Sequence, residues 1–361
     1  MRLAVGDARA RASQTNSVLP GASPQRRAVP VPRVDNEGVR HLASGFVSSL
    51  LQYEGLSQAS FTKPLHLAIG MFDGVHLGHR GVIEPAIRAA RQVGGVAAVL
   101  TFSPHPSALF RPDNPTRLIQ SPALKARVLA TVGVDAVITE RFTPDLAKIP
   151  AEEFLPWLKQ RLPSLCGVYV GENFRFGAKR VGDVKLLEDT GRALGLTVRS
   201  AARVTAHEEL VSSTRIRAHL EAGEIEDANA LLGYAYFSDG VVAPGKRLGR
   251  TIGFPTLNLF WNPDLKPHYG VYAVRVSGEH GATRPAVANY GLRPTVEHAS
   301  EPKLEVHVLG ECPFGEGDRV TVEWLHFVRP EMKFASLEEL RAQIARDVAA
   351  AKQFFSAKHA N

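Results

Sequence analysis

The chain has 361 residues, 44% of them hydrophobic, and a formal net charge of +7 at pH 7. Single hydrophobic cores rarely grow beyond about 250 to 300 residues, so this length predicts two packed domains. With only two cysteines, Cys166 and Cys312, the sequence excludes a disulfide-rich scaffold and favours a reducing, cytoplasmic compartment.

The first 44 residues differ in composition from the rest of the chain. They contain seven arginines, no lysine and three acidic residues, so their net charge is 7 − 3 = +4, which leaves +3 for the remainder. Residues 1–44 are rich in Ala, Ser and Pro and are predicted to form a disordered extension. No aromatic-studded basic stripe follows, and no apolar run reaches the ~18 residues of a membrane span. Neither a nucleic acid nor a membrane is therefore an expected partner.

Residues 45–233 alternate short apolar runs with helical patterns, which is typical of repeated strand–helix–strand units. The expected strands cover residues 65–70, 96–102, 134–139, 165–171 and 196–204. Between them apolar residues recur at helical spacing, for example Val82, Ile83 and Ala86. The pattern predicts a doubly wound parallel α/β domain that binds its ligands beyond the carboxyl ends of the strands.

Residues 234–361 show a different sequence pattern, typical of β-strands. A helix that begins near Ser213 is expected to stop at Gly223, and a second short helix is expected to stop at Gly233. Alternating strands punctuated by Gly and Pro follow from Tyr236. We expect an antiparallel β-barrel with a terminal helix that starts at a capping box in residues 336–339. Because no long apolar run joins the two regions, few core contacts are expected to cross residue 233.

A glycine-rich turn in residues 70–79 (GMFDGVHLGH) follows the first strand and opens a helix. Phosphates bind at such turns because backbone N–H groups and the helix dipole point at them. His76 and His79 are three residues apart, so both rings should project to the same side and donate hydrogen bonds to a triphosphate. The candidate nucleotide-binding residues of the turn are Gly70, Phe72, Asp73 and Gly74.

The histidine pair has two alternative roles. A lone His-x-x-His pair at a helix start is more often a surface cap, although the surrounding glycines favour phosphate binding. Zinc binding is the other alternative, but no third ligand is indicated nearby.

A second helix start, in residues 211–217 (VSSTRIR), brings together three hydroxyls and two guanidinium groups. The hydroxyls can cap this helix, and an arginine can neutralise the pyrophosphate that leaves when an adenylyl group is transferred. Taken alone, serines at such a position are more commonly plain helix caps, but together with the histidine turn they favour a functional role. Residues 101–106 (TFSPHP) and 170–177 (VGENFRFG) follow strands and are expected to line the same crevice.

In the C-terminal region, residues 245–258 (GKRLGRTIGFPTLN) form a basic, glycine-rich loop that runs into a strand. Small residues let the backbone approach a phosphate. The candidate phosphate-binding residues are Gly245, Lys246, Arg250 and Gly253. Thr256 and Asn258 are two residues apart, so they project to one strand face, where their oxygens can coordinate Mg²⁺.

A further strand, residues 304–309 (LEVHVL), alternates apolar residues with Glu305 and His307. Glu305 therefore faces away from the apolar set, where it can accept the proton of a substrate hydroxyl during phosphoryl transfer. Without other signals, a glutamate in such a strand is more commonly just solvent-exposed.

The N-terminal segments resemble, in order and spacing, the FAD synthetase module of the prokaryotic bifunctional riboflavin kinase/FMN adenylyltransferase family. The 245–258 loop, NYGLRPT at 289–295 and VRPEMKF at 328–334 are similar to the family's riboflavin kinase domain. The resemblance implies phosphorylation of riboflavin to FMN and adenylylation of FMN to FAD with release of pyrophosphate. Riboflavin, FMN and ATP would be the substrates, with Mg²⁺ as cofactor.

For the N-terminal site, the resemblance implies that His76 and His79 contact the ATP phosphates and that Asn173 lies near the nucleotide. It also implies that the loop with Ser213, Thr214 and Arg217 holds the pyrophosphate. This chain departs from the family pattern at Asn173, where many members have Asp, and at Leu210, where Arg is frequent.

For the C-terminal site, the resemblance implies Thr256 and Asn258 at magnesium-ATP, Glu305 as the base and Arg329 in a loop over the flavin. The chain has PTLN where the family usually has PTAN, but Leu257 should point to the opposite strand face and leave the polar pair intact. CPFG at residues 312–315 replaces a more common LYG element.

Three other functions are compatible with parts of the sequence. One of the two activities can be lost while both domains stay folded, or the chain can be a flavin or nucleotide carrier. A nucleotidyltransferase acting on tRNA or a lipid precursor fits the histidine turn alone, but the barrel motifs argue against it. The sequence does not indicate an oligomeric state.

Overall fold

The computed structural model describes residues 50–206, 209–245, 248–279, 281–292 and 302–359. The predicted N-terminal extension, Lys246 and residues 293–295 of the NYGLRPT stretch therefore lie outside the described residues.

The N-terminal domain is built on a six-stranded sheet in which every neighbouring pair is parallel. Its strands are β1 (Leu51–Tyr53), β2 (Leu65–Ile69), β3 (Val96–Ser103), β4 (Ala136–Arg141), β5 (Leu165–Gly171) and β6 (Thr197–Ala201). Their order is β1-β4-β3-β2-β5-β6, so the direction of winding reverses between β2 and β5. The five predicted strands are confirmed, and β1 is an additional edge strand.

Helices cover both faces of this sheet, as predicted. In chain order they are α1 (Leu77–Gln92), α2 (Pro106–Phe110), α3 (Pro122–Val132), α4 (Pro144–Ala147), α5 (Ala151–Arg161), α6 (Val184–Ala193), α7 (Ser213–Ala222) and α8 (Ile225–Leu232). Alternate residues of β2 enter different cores: Leu67 packs with α5 and α6, whereas Ala68 packs with α1 and α3. A short hairpin, β7 (Thr205–Ala206) and β8 (Glu209–Leu210), precedes α7. Gly223 and Gly233 end α7 and α8 in the left-handed conformation, which confirms both predicted stops.

The C-terminal domain is a closed antiparallel barrel with the strand order β10-β13-β12-β11-β14-β9. Its elements are β9 (Phe237–Ala243), α9 (Leu248–Thr251), β10 (Leu257–Leu259), β11 (Gly270–Gly278), β12 (Thr283–Leu292), β13 (Pro302–Val308), β14 (Arg319–Pro330) and α10 (Leu337–His359). Helix α10 lies on the outer face of the barrel, where Ala351 packs against Val271 and Val287. Ser336 Oγ accepts the Glu339 N–H (3.1 Å), but Glu339 reaches back to Ala335 and not to Ser336. The predicted cap is thus half of a capping box.

The two domains share one continuous apolar core, so the expectation of few core contacts across residue 233 is wrong. Helix α8 packs on β14, where Asn229 Nδ2 donates to the Trp324 carbonyl (2.8 Å). Tyr234 is buried, and its hydroxyl donates to the Gly74 carbonyl (2.6 Å) on the other side of the boundary. This interface was not predicted from the sequence because it is formed by short helices and single aromatic residues and not by one long apolar run. Within the described part of the chain, no helix is long and apolar enough to cross a membrane.

Candidate active sites

The turn between β2 and α1 has an unusual backbone. Phe72 (φ 47°), Gly74 (φ 82°) and Val75 (φ 36°) all lie in the left-handed region, which non-glycine residues rarely adopt. A Cβ on Gly74 would lie 3.0 Å from Ile119, and one on Gly70 would lie 3.0 Å from the Phe72 ring. The surrounding side chains therefore hold the turn in one conformation, and its two glycines are required for close packing.

The two histidines of this turn lie together, as predicted. His76 is the N-cap of α1, and its Nδ1 accepts the His79 N–H at 3.3 Å. The imidazole rings are stacked, with centroids 3.6 Å apart and an interplanar angle of 15°. Phe72 packs edge-on against His79, at 5.3 Å between ring centroids.

Burial keeps both imidazoles neutral. It lowers the pKa of His76 to about 4, helped by the charge of Arg217, and it holds the pKa of His79 well below its usual range. Because the Nδ1 of neutral His76 accepts a hydrogen bond, its proton lies on Nε2. The pair can therefore donate hydrogen bonds to an anion without adding a full positive charge.

Asp73 lies at the centre of the predicted pyrophosphate-binding group. Its carboxylate is buried and accepts the Ile119 N–H (3.0 and 3.2 Å) and a hydrogen bond from Arg217 Nη2 (2.5 Å). Ser213 Oγ donates to the Asp73 carbonyl (2.9 Å), and Thr214 is exposed beside it. Asp73 is thus engaged with protein groups, and its evident role is to orient Arg217.

Asn173 lies just beyond the carboxyl end of β5 and is exposed. Strands β2 and β5 are neighbours, and the winding reverses between them, which is where parallel sheets bind ligands. The structure therefore puts Asn173 at the same edge of the sheet as the histidine turn.

Lys125 belongs to this site, although it was not predicted. On α3, it is buried, and its Nζ donates to the Met71 carbonyl (3.1 Å) and to Thr101 Oγ1 (2.9 Å). Burial lowers the pKa of Lys125 to about 8, against the opposing effect of Asp73. One signal in the sequence could have revealed it: Lys125 precedes Val128 and Leu129 by three and four residues, so it lies on the apolar stripe of its helix.

An open cleft of about 870 Å³ lies beside Lys125 at the carboxyl ends of β3 and β4. Ser103 and Pro104 line it, so the predicted TFSPHP stretch does border a crevice. Close to these strand ends, Phe110 is 61% exposed and lies edge-on to Phe142, with ring centroids 6.0 Å apart. An exposed aromatic ring beside a cleft offers a surface on which a planar ligand can stack.

The second site is a row of polar side chains on the outer face of the barrel. Glu305 on β13 lies directly opposite Asn258 on β10 and Asn289 on β12. Directly opposed Cβ atoms are about 4.5 to 5.5 Å apart, so these side chains are neighbours. The apolar residues of β13 face the barrel interior, as predicted, and Leu257 is buried on the face opposite to Asn258. Asn289 was not among the predicted site residues.

The glycine-rich loop packs directly against this row. A Cβ on Gly245 would overlap Asn258 Nδ2, and one on Gly249 would lie 3.4 Å from Thr256 Oγ1. At Gly249 the backbone sets the limit, because a Cβ there would overlap the Phe254 carbonyl oxygen, whereas a Cβ on Gly245 would have to displace the Asn258 side chain. Gly253 has a left-handed φ of 89°, and Arg250 is exposed.

Two further polar side chains of the barrel, His307 and Arg329, have defined partners. His307 Nδ1 donates to the Pro255 carbonyl (2.8 Å) and so holds the strand entry next to Thr256, a contact that the sequence did not reveal. Arg329 lies near the end of β14 and not in a loop, and Asp347 of α10 binds its guanidinium through two hydrogen bonds of 2.8 Å each.

Comparisons with known proteins identify both halves of the chain. The family model described as FAD synthetase matches residues 58–215, and the one described as riboflavin kinase matches residues 232–355. A bifunctional riboflavin kinase/FMN adenylyltransferase of Escherichia coli (strain K12) is 38% identical over 289 residues, which cover 80% of this chain and 92% of that protein. Its counterpart in Listeria monocytogenes is 37% identical over 295 residues, with the same coverage. A crystal structure titled macrolide-efflux protein from Streptococcus pneumoniae matches with a TM-score of 0.76 at 27% identity, over 84% of this chain and 98% of that one.

Proposed function

The chain belongs to the bifunctional riboflavin kinase/FMN adenylyltransferase family, and from this premise we propose that its two activities use the two sites described above. The enzyme phosphorylates riboflavin to FMN and adenylylates FMN to FAD, with ATP as the donor in both reactions. We assign adenylylation to residues 45–233 and phosphorylation to residues 234–361. The observation that supports this assignment is that the stacked histidine pair and the Asn258–Glu305 row lie in different domains.

In the adenylyltransferase site, a phosphate oxygen of FMN attacks the α-phosphorus of ATP, and the bond to pyrophosphate breaks. Neutral His76 and His79 donate hydrogen bonds to the phosphate oxygens on which charge accumulates. Arg217, oriented by Asp73, faces the leaving pyrophosphate together with Ser213 and Thr214. The backbone of the turn from Gly70 to Gly74 and the side chain of Asn173 bind the nucleotide.

We place FMN in the cleft at the carboxyl ends of β3 and β4. The exposed Phe110 ring offers a stacking surface for the isoalloxazine, and Lys125 brings a positive charge to the cleft wall. Lys125 is next to the histidine turn, since its Nζ donates a hydrogen bond to the Met71 carbonyl.

In the kinase site, the oxygen of a riboflavin hydroxyl attacks the γ-phosphorus of ATP, and ADP leaves. Glu305 accepts the proton of that hydroxyl during the attack. Gly245, Lys246, Arg250 and Gly253 form the loop that binds the ATP phosphates. Arg329, held by Asp347, lies on the flavin side of the site.

The oxygen donors in this row suit Mg²⁺, which prefers hydroxyl, amide and carboxylate oxygens. Thr256 and Asn258 would hold the ion next to Glu305, and the bound ion supplies charge neutralisation for the ATP phosphates. Both cysteines are unpaired and exposed, which supports a reducing, cytoplasmic setting.

Product analysis tests the proposal directly. The full chain is incubated with riboflavin, ATP and Mg²⁺, and flavins are separated by chromatography over time. We expect FMN to appear first and FAD to follow. Accumulation of FMN alone would contradict the N-terminal assignment, and recovery of unchanged riboflavin would contradict the kinase assignment.

A further inference from the structure

A short segment of the adenylyltransferase domain, residues 117–119, lies between the two domains. One side of its backbone faces the adenylyltransferase site. The Arg117 carbonyl accepts a hydrogen bond from Arg217 Nε (2.7 Å), and the Ile119 N–H donates to the carboxylate of Asp73 (3.0 Å). The segment therefore binds both members of the Asp73–Arg217 ion pair.

The other side of the same segment faces the kinase barrel. The Leu118 N–H donates to Asp264 Oδ2 (2.6 Å), and the Leu118 carbonyl accepts the Leu265 N–H (3.2 Å). Successive residues of an extended segment direct their backbone groups to opposite sides, as in a strand. Residues 117 and 119 thus bind the adenylyltransferase site, while residue 118 binds the barrel.

The barrel loop that carries Asp264 also holds the helix that carries Arg217. This loop, residues 260–269, joins β10 to β11, and Leu265 is completely buried within it. Its His268 N–H donates to the Leu220 carbonyl of α7 (2.9 Å). The loop therefore supports Arg217 from two directions, through the 117–119 segment and through α7.

We propose that Asp264, a residue of the kinase barrel, is a positioning residue for the FMN adenylyltransferase site. It holds residue 118 and, through its neighbours, fixes Asp73 and Arg217 relative to the histidine pair. Displacements of about 1 Å in a catalytic group can lower the rate by up to about 100-fold. A single hydrogen bond that fixes the position of Arg217 can therefore have a measurable effect on the rate of adenylylation. The inference rests on the proposed function, because it assigns a positioning role in one of the two reactions.

The side chain of Asp264 is exposed, and the hydrogen bond that its Oδ2 accepts comes from the other domain, so its replacement should leave the barrel intact. The kinase row of Asn258, Glu305 and Asn289 lies on strands and does not include the 260–269 loop. Asp264 therefore allows one reaction to be perturbed without the other.

The test compares the full-length Asp264→Ala and Asp264→Asn variants with the wild type. Asparagine keeps an oxygen that can accept the Leu118 N–H, whereas alanine does not. Asp318→Ala is the matched control. The carboxylate of Asp318 also accepts a backbone N–H, but the donor, Gly315 (2.8 Å), belongs to the same domain as Asp318. For each protein, kcat and KM are measured for FAD formation from FMN, kcat is measured for FMN formation from riboflavin, and Tm is determined.

We expect Asp264→Ala to lower kcat for FAD formation about tenfold, with FMN formation and Tm close to the wild type. Asp264→Asn should recover most of the loss, and Asp318→Ala should change neither activity. Equal losses of both activities together with a lower Tm would overturn the proposal in favour of a purely structural role. Retention of FAD formation within about twofold in Asp264→Ala would overturn it as well. Absence of FAD formation by the wild type would refute the proposed function and this inference together.

Discussion

The two sites of this protein are constructed in opposite ways. The adenylyltransferase site is centred on buried polar side chains, among them Asp73 and His76, and is assembled from segments far apart in sequence: Asp73 is joined to Ile119, Ser213 and Arg217. The kinase site is a row on three neighbouring strands, in which Glu305 lies directly opposite both Asn258 and Asn289. A site on a strand face needs only the correct register, whereas a site made of turns also needs every segment that holds the turns.

The two sites also differ in how burial affects the charges of their side chains. Burial lowers the pKa of His76 to about 4 and that of Lys125 to about 8, so the adenylyltransferase site limits the positive charge that it carries. Glu305 of the kinase site is half-buried at the barrel surface. Substitutions in the buried site should therefore affect both binding and packing, and those in the kinase site mainly the chemical step.

The largest expected effect comes from removing both imidazoles with His76→Ala and His79→Ala in one protein. Loss of one preorganised donor typically costs about 10²- to 10³-fold, so FAD formation from FMN should fall below detection. FMN formation from riboflavin should continue, because the kinase row lies on strands of the barrel and the histidine turn belongs to the other domain. Simultaneous loss of both activities in a cooperatively folded double variant would show that the two sites are not separate.

Glu305→Gln is the corresponding change in the kinase site. The amide keeps the shape of the side chain but cannot take up a proton, so FMN formation should fall by about 10²- to 10⁴-fold while FAD formation from supplied FMN is unchanged. Glu311→Gln, a similar change just beyond the same strand, serves as the control. A loss smaller than about tenfold would reduce Glu305 to a structural strand residue.

In both sites, part of the arrangement was predicted correctly from the sequence. Strand alternation correctly predicted that Glu305 and Asn258 face outward and that Leu257 faces inward. The three-residue spacing of His76 and His79 correctly put both rings on one side of the helix start. Periodicity along the chain was sufficient for the histidine pair and for the side chains of β10 and β13, because each of these predictions concerns residues of a single element.

Features that depend on tertiary contacts were missed. Strand β1 has three residues, Leu51–Tyr53, and no complete alternation, so nothing in the sequence marked it as a strand. Lys125 was overlooked because a helical lysine usually faces solvent. The shared core at Tyr234 and the Leu118–Asp264 contact join residues more than a hundred positions apart, which no periodicity can reveal.

The buried lysine leads to a smaller, pH-dependent effect. An ordinary Lys has a pKa near 10.5, but Lys125 has a pKa of about 8, so it loses its charge as pH rises through 8. FAD formation should therefore fall by about half near pH 8, whereas FMN formation should show no decline from this group. Lys125→Met should give a lower rate at pH 7 and remove this alkaline limb; an unchanged limb would assign it to another group.

The sign of the accompanying stability change is also fixed. Because the folded-state pKa of Lys125 lies below the unfolded value, the charged form disfavours folding at pH values below 8. Stability should rise as pH increases from about 8 to about 10.5, where the unfolded chain still binds the proton. A weaker rise in the free energy of unfolding of Lys125→Met over this window, measured by urea titration, would verify the assignment.

Deletion of residues 1–44 should have the smallest effect. The segment contains few large apolar side chains, so its removal should change both activities by less than about twofold and leave Tm nearly unchanged. A clearly lower Tm, or the loss of one activity, would show that this segment docks on one of the two domains.

One chain holds two separate sites that act in sequence, and a mixing experiment tests this arrangement most directly. Full-length Glu305→Gln and the His76→Ala/His79→Ala double variant are each incubated with riboflavin, ATP and Mg²⁺, alone and in an equimolar mixture. Alone, the first should leave riboflavin unchanged and the second should stop at FMN. The mixture should form FAD, because FMN made by the intact kinase site of one protein is adenylylated by the intact N-terminal site of the other. Accumulation of FMN without FAD in the mixture, while Glu305→Gln still adenylylates supplied FMN, would contradict sequential action through released FMN. Failure of Glu305→Gln to adenylylate supplied FMN would contradict the separation of the two sites.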